Sequence, residues 1–529
     1  MSTVKLNCAS PVGINGRLII VEVYMKNAGM PSFAVVGLPD ASIRESRERV
    51  MASVRSCGIK FPPVKIVVNL APAFIKKEGP EFDLAIACAV LALHDDLDRE
   101  SAEKMFKEYM FLGELGLDGT LRALNGILPV VQCAKTRGLK GVVLPFDNKE
   151  EASLIDGIKI IPCRGLQEVA DWVNGLKKIE PFVLQKDDVF KKLSNAHENV
   201  SARIDMSDII GNALPKKALE IAAAGGHNIM LVGSPGVGKT LLAKAFQTIL
   251  PPLTLEESLE ITKIYSVSGN IMAGRSIITQ RPFRFPHHSA SHVALIGGGT
   301  NPKPGEVSLA HNGVLFLDEM AEFGRAALEA LRQPLEDREV VVSRAAGKAA
   351  YPAKFILVGA INPCPCGWLG SKERECVCTP HAAIRYRARL SGPLLDRIDL
   401  HVNVSGNEFK EFLVQGENKD GYVKSQTSEE IRECVVGARK VQTQRFAKQG
   451  ASFANAHMGV RDIKTYCKIN HDMQTFLVGV MKKLRLSPRA YHRILKIART
   501  VADIEQRDTI SQGDLSMAVK MRCLDKAII

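Results

Sequence analysis

Asn228-Ile-Met-Leu-Val-Gly-Ser-Pro-Gly-Val-Gly-Lys-Thr240 passes from a short apolar run through a glycine-rich loop to Lys-Thr, and Leu241-Leu-Ala-Lys-Ala-Phe246 continues with helical character. The order strand, loop, helix marks a site for nucleotide phosphates. The spacing Gly-x4-Gly-Lys-Thr leaves the loop's backbone N–H groups free to face phosphate oxygens, an approach that bulky side chains would block. Gly233, Ser234, Gly236, Val237, Gly238, Lys239, Thr240 and Leu241 are therefore expected around the phosphates. Lys239 is placed to reach the β- and γ-phosphates and Thr240 to offer its hydroxyl to Mg2+. The start of the helix adds the positive end of its dipole.

Further along, Val314-Leu-Phe-Leu-Asp-Glu319 reads as a buried strand ending in two carboxylates. A hydrolytic nucleotide site needs such a pair, with Asp318 holding Mg2+ through its water shell and Glu319 polarising the attacking water. Phe355-Ile-Leu-Val-Gly-Ala-Ile-Asn362 reads as a third strand. In a parallel sheet the carboxyl ends of strands line the ligand crevice, so Asn362 is placed between the γ-phosphate and the water as a sensor. Gly392-Pro-Leu-Leu-Asp-Arg-Ile-Asp-Leu400 carries Arg397 among apolar neighbours. A planar guanidinium suits the charge on a phosphoryl group in transfer, which makes Arg397 a candidate finger reaching a neighbouring subunit's site.

At 529 residues the chain is too long for one ordinary core, and two to four domains are expected. The 70 Lys and Arg against 57 Asp and Glu give a net charge of +13, which favours an anionic partner such as nucleic acid. The N-terminus lacks a charged start followed by a long apolar stretch, and no window approaches a membrane span, so a cytoplasmic protein is expected. Apolar runs at Arg17 to Val23, Ser32 to Val36 and Val64 to Val68, with a helix around Leu84 to Leu93, give residues 1–180 the look of a separate α/β domain. Residues 181–203 are polar with little periodicity and read as a linker. Strands and helices alternate around the phosphate loop over 204–425. Residues 426–529 turn helical, with amphipathic stretches from Ser428 and from Pro488. Most of the 12 cysteines, Cys88 and Cys133 among them, read as buried free thiols in a reducing compartment.

The loop at 228–240, Leu317-Asp-Glu319, Asn362 and Leu394-Leu-Asp-Arg397 together resemble an AAA+ ATPase of the magnesium-chelatase branch. Arg281-Pro-Phe-Arg-Phe-Pro-His-His-Ser-Ala-Ser291, followed by Ile296-Gly-Gly-Gly-Thr-Asn-Pro-Lys-Pro-Gly-Glu-Val-Ser-Leu-Ala-His-Asn-Gly313, is similar to the bacterial ComM/YifB family of magnesium-chelatase-like proteins over nearly the whole chain. The resemblance implies an α/β AAA+ fold with a parallel sheet and a helical lid. It further implies ATP and Mg2+ as cofactors, and a homo-oligomeric ring, usually a hexamer, that moves single-stranded and branched DNA. Branch migration during natural transformation is the implied activity, with recombination proteins as further partners.

Carried over residue by residue, the resemblance implies the roles already given to Lys239, Thr240, Asp318, Glu319, Asn362 and Arg397. It adds Ile209 and Ile210 as a surface packed on the adenine. Arg489, in Ser487-Pro-Arg489, takes the position of a second sensor on the chain's own lid, with Arg493 one turn later. A solvated basic helix face is the other reading of that pair. Val340 to Pro352 fits a hairpin with Arg344 and Lys348 near its tip. In this branch such a hairpin commonly projects into the ring pore, where cations engage DNA phosphates. A surface hairpin with incidental charge is the alternative. Asn69 to Ala87 resembles the core of Lon-type protease domains, but Glu81 stands where the family has its nucleophilic serine. No Ser-Lys dyad can form, so the N-terminal domain is read as a catalytically inactive collar, with Lys76 and Lys77 as surface or DNA-facing charge.

Cys364-Pro-Cys366 and Cys376-Val-Cys378 are two Cys-x-Cys pairs nine residues apart in a polar loop. Four thiolates, or three with His381, would close a tetrahedral Zn2+ site, although the usual structural spacing is Cys-x2-Cys. Free thiols in a reducing cytosol are the other reading. Two further functional readings stand beside the DNA-moving ring, the first with the same ATP chemistry and the second outside the enzymes that do mechanical work. One is a chelatase-like ATPase that remodels a protein or metal-insertion partner, and the other is an ATP-gated binding or scaffold module.

Overall fold

The computed structural model describes residues 3–26, 30–74, 76–184, 204–271, 277–299, 302–344, 347–371, 374–405, 426–448, 453–484, 486–522 and 524. Most of the expected linker, from residue 185 to 203, lies outside the described residues.

The N-terminal unit is built on β1 (Thr3–Val12), β2 (Asn15–Lys26), β3 (Ser32–Val36), β4 (Lys65–Ala71), β5 (Tyr109–Phe111), a small hairpin of β6 (Glu114–Leu115) and β7 (Leu121–Arg122), then β8 (Gly141–Pro145) and β9 (Lys159–Cys163). Seven of these form one sheet in the order β3-β4-β2-β1-β5-β8-β9. Alternation along β2 buries Ile19, Val21 and Val23 on one face, and the antiparallel register sets Leu6 of β1 opposite Val21. After Asp83, which pairs with Arg49, the helix Asp83–Leu93 is made of small and apolar residues all round, and its first ten residues are buried. Cys88 is buried within it, and that burial pushes its thiol well above the ordinary range, whereas Cys133 is only half-buried.

Two charged residues of this unit, Lys77 and Glu81, are not where their chemistry alone would put them. Lys76 is exposed and pairs with Glu78 at 2.6 Å. Lys77, expected as surface or DNA-facing charge, is instead fully buried and donates to the carbonyls of Gly37, at 2.9 Å, and of Pro72. Those carbonyls follow the last residues of the parallel pair β3 and β4, so the ammonium ties two strand ends together rather than facing a partner. Glu81, at the position of the missing nucleophile, is nearly enclosed, and burial pushes its carboxyl up to about 7. A folded pKa above the unfolded value of about 4.3 means the native state binds this proton more tightly, so its stabilising effect is complete below pH ~4 and lost as pH rises to ~7. Glu81→Gln is therefore expected to stabilise the N-terminal unit by up to about 3 kcal/mol at pH 8 and hardly at all at pH 4. Melting curves of the two chains at both pH values check this.

The second sheet contains β10 (Ile229–Val232), β11 (Phe283–Arg284), β14 (Val314–Leu317), β17 (Ile356–Ile361) and β18 (Leu400–Asn403). Outside it lie two hairpins, β12 (Gly297–Gly298) with β13 (Lys303–Pro304) and β15 (Glu339–Arg344) with β16 (Gly347–Pro352). The sheet order is β11-β14-β17-β10-β18 and every pair is parallel. Every residue of β10 and β14 is buried, which explains why both read as unbroken apolar runs rather than alternating ones. Because all the strands point one way, their carboxyl ends share one edge of the sheet. Asn228, Gly313, Phe355 and Asp399 precede β10, β14, β17 and β18 on the other.

The C-terminal helices include Ser428–Arg445, Val460–Tyr466, His471–Leu484, Pro488–Ile504 and Gln512–Lys520. Ser487 caps the fourth by accepting from the Ala490 N–H, and Pro488 opens it. Its apolar face, with Ile494, Leu495, Ile497, Ala498 and Val501, joins the core beneath the second sheet. A buried polar network pins it in place. His227 contacts Asp399 at 3.1 Å and Thr500 at 2.8 Å, and Asp503 accepts from Arg445, Arg499 and Asn455 at 2.6 to 3.0 Å. Asp503→Ala would leave two enclosed guanidinium groups without their carboxylate, and it is expected to cost about 3–5 kcal/mol in denaturant unfolding. The N-terminal unit meets the second through Leu255–Ser268, where Ser266 donates to Glu151 at 2.5 Å and accepts from the Gly126 N–H at 3.1 Å.

Candidate active site

The carboxyl edge of the second sheet gathers the residues singled out by the sequence. After β10 the chain turns through Gly236 and Gly238, at φ +82° and +90°, a region open to glycine at little cost. The helix Lys239–Ala245 begins directly after Gly238. Lys239 is buried, and its Nζ donates to the carbonyls of Gly233 at 2.7 Å and Ser234 at 2.8 Å and to Asn362 Oδ1 at 3.1 Å. Burial lowers its pKa, while Asp318 and Glu319 pull the other way. Thr240 Oγ1 donates to Asp318 Oδ2 at 2.7 Å, so the two expected Mg2+ ligands stand side by side at the ends of adjacent elements. Glu319 follows at φ +48°, in the left-handed region, with its N–H on Asp318 Oδ1 at 2.9 Å and its side chain exposed. Of the flanking loop residues Ser234 is buried, Val237 half-buried and Leu241 exposed. Ile209 is spent in the core, which leaves half-buried Ile210 as the member of that pair with surface to offer an adenine.

The amino edge carries a different constellation. A cavity of about 230 Å³ is lined there by Asn228, Phe355 and Asp399, by Arg397 and Arg489, and by four more cations, Arg338, Lys354, Arg493 and Lys496. Six cations thus face three carboxylates, Glu336, Asp396 and Asp399. Arg397 is bound to Glu336 and donates to the Pro393 carbonyl at 2.8 Å, while its Nε is buried without a hydrogen-bond partner. Arg493 is bound to Asp399. Burial alone would raise the Asp399 carboxyl, but Arg493 and His227 outweigh it and hold it well below the usual carboxylate range. Arg489, expected as a second sensor on the chain's own lid, lines this cavity as well. Among the cavity's other lining residues, Asn228, Phe355 and Asp399 directly precede β10, β17 and β18, on the edge of the sheet opposite the phosphate loop.

Family models match this chain over residues 21–148 (subunit ChlI of Mg-chelatase), 205–412 (magnesium chelatase, subunit ChlI) and 425–522 (the ChlI C-terminal part). The competence protein ComM of Haemophilus influenzae is 40% identical over 525 residues, covering 99% of this chain and 98% of its own. The chain belongs to the ComM/YifB family of magnesium-chelatase-like AAA+ proteins. YifB of Escherichia coli is 40% identical over 530 residues, covering 100% of this chain and 99% of its own. Lon protease 2 of Bacillus subtilis is 28% identical over 189 residues, 32% of this chain and 33% of its own. The family therefore unites a Lon-protease-like N-terminal unit, the parallel AAA+ sheet and a helical C-terminal part. Among the described residues no helix is long and apolar enough to cross a membrane.

Within this family framework the cysteine loop closes on itself. Cys364 Sγ lies 3.4 Å from Cys366 and 3.6 Å from Cys376, and Cys366 lies 3.6 Å from Cys376. All four sulfur atoms, that of Cys378 included, fall within 4.8 Å of one another. Four thiolates at about 2.3 Å from one Zn2+ would be spaced by about 3.8 Å, close to this arrangement. A backbone N–H, that of Trp368, leads in lowering the Cys366 thiol to about 6. His381 is exposed and is not a member of the group. The expected hairpin forms as β15 and β16, with Ser343 opposite Lys348. The side chains of residues 343–348, among them Arg344 and Lys348, lie outside the described residues. His288 went unassigned in the sequence. Its Nδ1 is 3.8 Å from Glu319 Oε2, brought there because β11 pairs with β14. The His287-His288 doublet after an apolar pair was the signal available.

Proposed function

We propose that this chain is an ATP-hydrolysing ring motor, usually a hexamer, that drives branch migration of DNA during natural transformation in the cytoplasm. The carrying observation is the division of the catalytic set between two edges of one sheet. Lys239, Thr240, Asp318, Glu319 and Asn362 gather at the carboxyl edge, while Arg397 and Arg489 stand at the amino edge. A ring in which each amino edge faces the next subunit's carboxyl edge completes every site with both arginines in trans. In such a site the phosphate loop would hold ATP, Asp318 and Thr240 would hold Mg2+, and Asn362 with Glu319 would place and deprotonate the water. The ion would supply neutralisation of the phosphate charge.

DNA as the substrate is supported by the net charge of +13, by the β15–β16 hairpin that carries Arg344 and Lys348, and by the full-length likeness to a competence protein. Branch migration and strand displacement on forked DNA, with the intact chain beside Lys239→Ala and Glu319→Gln, test this reading. ATP-dependent unwinding by the intact chain alone is expected. Hydrolysis that DNA fails to stimulate but a protein partner does would instead establish the remodelling ATPase.

The four cysteines are assigned to a structural Zn2+. Elemental analysis of the purified chain is expected to give close to one equivalent, and less than about half an equivalent would reject the site.

A further inference from the structure

The cysteine loop does more than follow the nucleotide site in sequence, because it also rests on the phosphate loop. Gly367 is buried at φ +83°, and a methyl group added there would stand 2.5 Å from Cδ and 2.7 Å from Cγ of Pro235. Pro235 sits between Ser234, whose carbonyl receives Lys239 Nζ, and Gly236, where the loop turns. The same cysteine loop leaves β17 through Asn362, whose Oδ1 also receives Lys239 Nζ, and reaches buried Cys364 two residues later. At its far end Cys378 leads to Thr379, which caps the helix Pro380–Arg387, and Arg387 Nε returns to the Pro363 carbonyl at 3.1 Å.

Of the cysteine loop's described residues between 365 and 378 only Gly367 is fully buried, while Cys366, Trp368, Leu369, Ser371, Cys376 and Cys378 are half-buried and the rest exposed. A polar segment with so little burial keeps its conformational freedom unless its ends are cross-linked. A metal ion gathering Cys364, Cys366, Cys376 and Cys378 would supply that cross-link, and Gly367 lies inside the loop it would close.

We propose that metal occupancy of the four-cysteine cluster fixes the phosphate loop through the Gly367–Pro235 contact, so that zinc and ATP bind with positive coupling. This rests on the assignment of zinc to the cluster. Coupling between two equilibria is reciprocal: whatever factor zinc gives to ATP affinity, ATP gives to zinc affinity. The full chain is measured in two ways. Zinc-loaded and chelator-treated protein are titrated with a fluorescent ATP analogue, and zinc transfer from loaded protein to a chromogenic chelator is followed with and without ATP. A loss of about fivefold or more in nucleotide affinity without zinc is expected, matched by the same gain in zinc retention with ATP.

Pro235→Ala keeps the thiolates and removes the ring that meets Gly367, so it is expected to retain zinc while the coupling factor falls toward one. Trp368 is one of only two tryptophans, so in a Trp172→Phe chain its emission is expected to change when ATP is added. If the purified chain holds no zinc, the zinc assignment itself fails. Zinc present with equal ATP affinity in both forms overturns the coupling alone. Should chelated protein unfold, the zinc-transfer measurement on loaded protein decides by itself.

Discussion

Lys239→Ala and Arg397→Ala chains are each expected to hydrolyse almost no ATP alone, and an equimolar mixture is expected to recover about a quarter of the intact rate. Each substitution disables a different edge of the same sheet. Lys239 lies where β10 ends and contacts Gly233, Ser234 and Asn362, whereas Arg397 lies just before β18 begins, beside Asp399 and Glu336. No side-chain motion carries a guanidinium across a buried parallel strand, so any nucleotide served by this arginine would be a neighbour's. In a randomly mixed ring a site works when its own Lys239 is intact and the adjoining Arg397 is also intact, which holds for one junction in four. Removing a trans arginine is worth ~10³ to 10⁵ in turnover, so the recovered rate stands far above either background. Phosphate release from co-assembled chains is the measurement. Verified mixed rings that stay at background would reject the division of the site between subunits, as would an Arg397→Ala chain that turns over normally alone.

The elements that hold the nucleotide were legible because each is local. β10, β14 and β17 are apolar runs of four to six residues, and each is ended by the residue that matters, Gly233, Asp318 or Asn362. The edge on which Arg489 falls was not legible. It depends on where the lid helix docks, and that is fixed by contacts between residues remote in sequence, His227 with Thr500 and Asp399 with Arg493. His288 was hidden for a related reason, since β11 is only two residues long and meets Glu319 through strand pairing rather than spacing. Lys77 misled by its residue type. Its burial rests on two carbonyls supplied by separate strand ends, and side-chain chemistry alone points such a group to solvent. The cysteines stand between these cases: their spacing announced two pairs, and only the fold brings the pairs within reach of one ion.

Glu319→Gln is expected to lower turnover by about 10² to 10⁴ while nucleotide affinity stays close to that of the intact chain. Glu319 is exposed and supports no core contact, so the isosteric change should move stability by no more than about 0.5 kcal/mol. Its backbone is held at φ +48°, a conformation disfavoured for a residue with a side chain, and such strain persists where the surroundings over-determine it. Here the fixing contacts are the Glu319 N–H on Asp318 Oδ1, the Glu322 N–H on the Glu319 carbonyl, and the buried Met320 and Ala321 that follow. The strained residue is thereby locked to the one that would hold Mg2+. An amide keeps that geometry and the side chain's reach but cannot accept a proton from water, so the loss should fall on kcat and leave KM nearly unchanged. His288, 3.8 Å from the carboxylate, offers the contrast. Its replacement by alanine leaves the base in place and is expected to cost about tenfold or less. Steady-state phosphate release together with titration of a fluorescent ATP analogue separates the two parameters. Turnover within tenfold of the intact chain would remove Glu319 from the base's role, and a parallel collapse of binding would show that the carboxylate instead supports the metal and the phosphates.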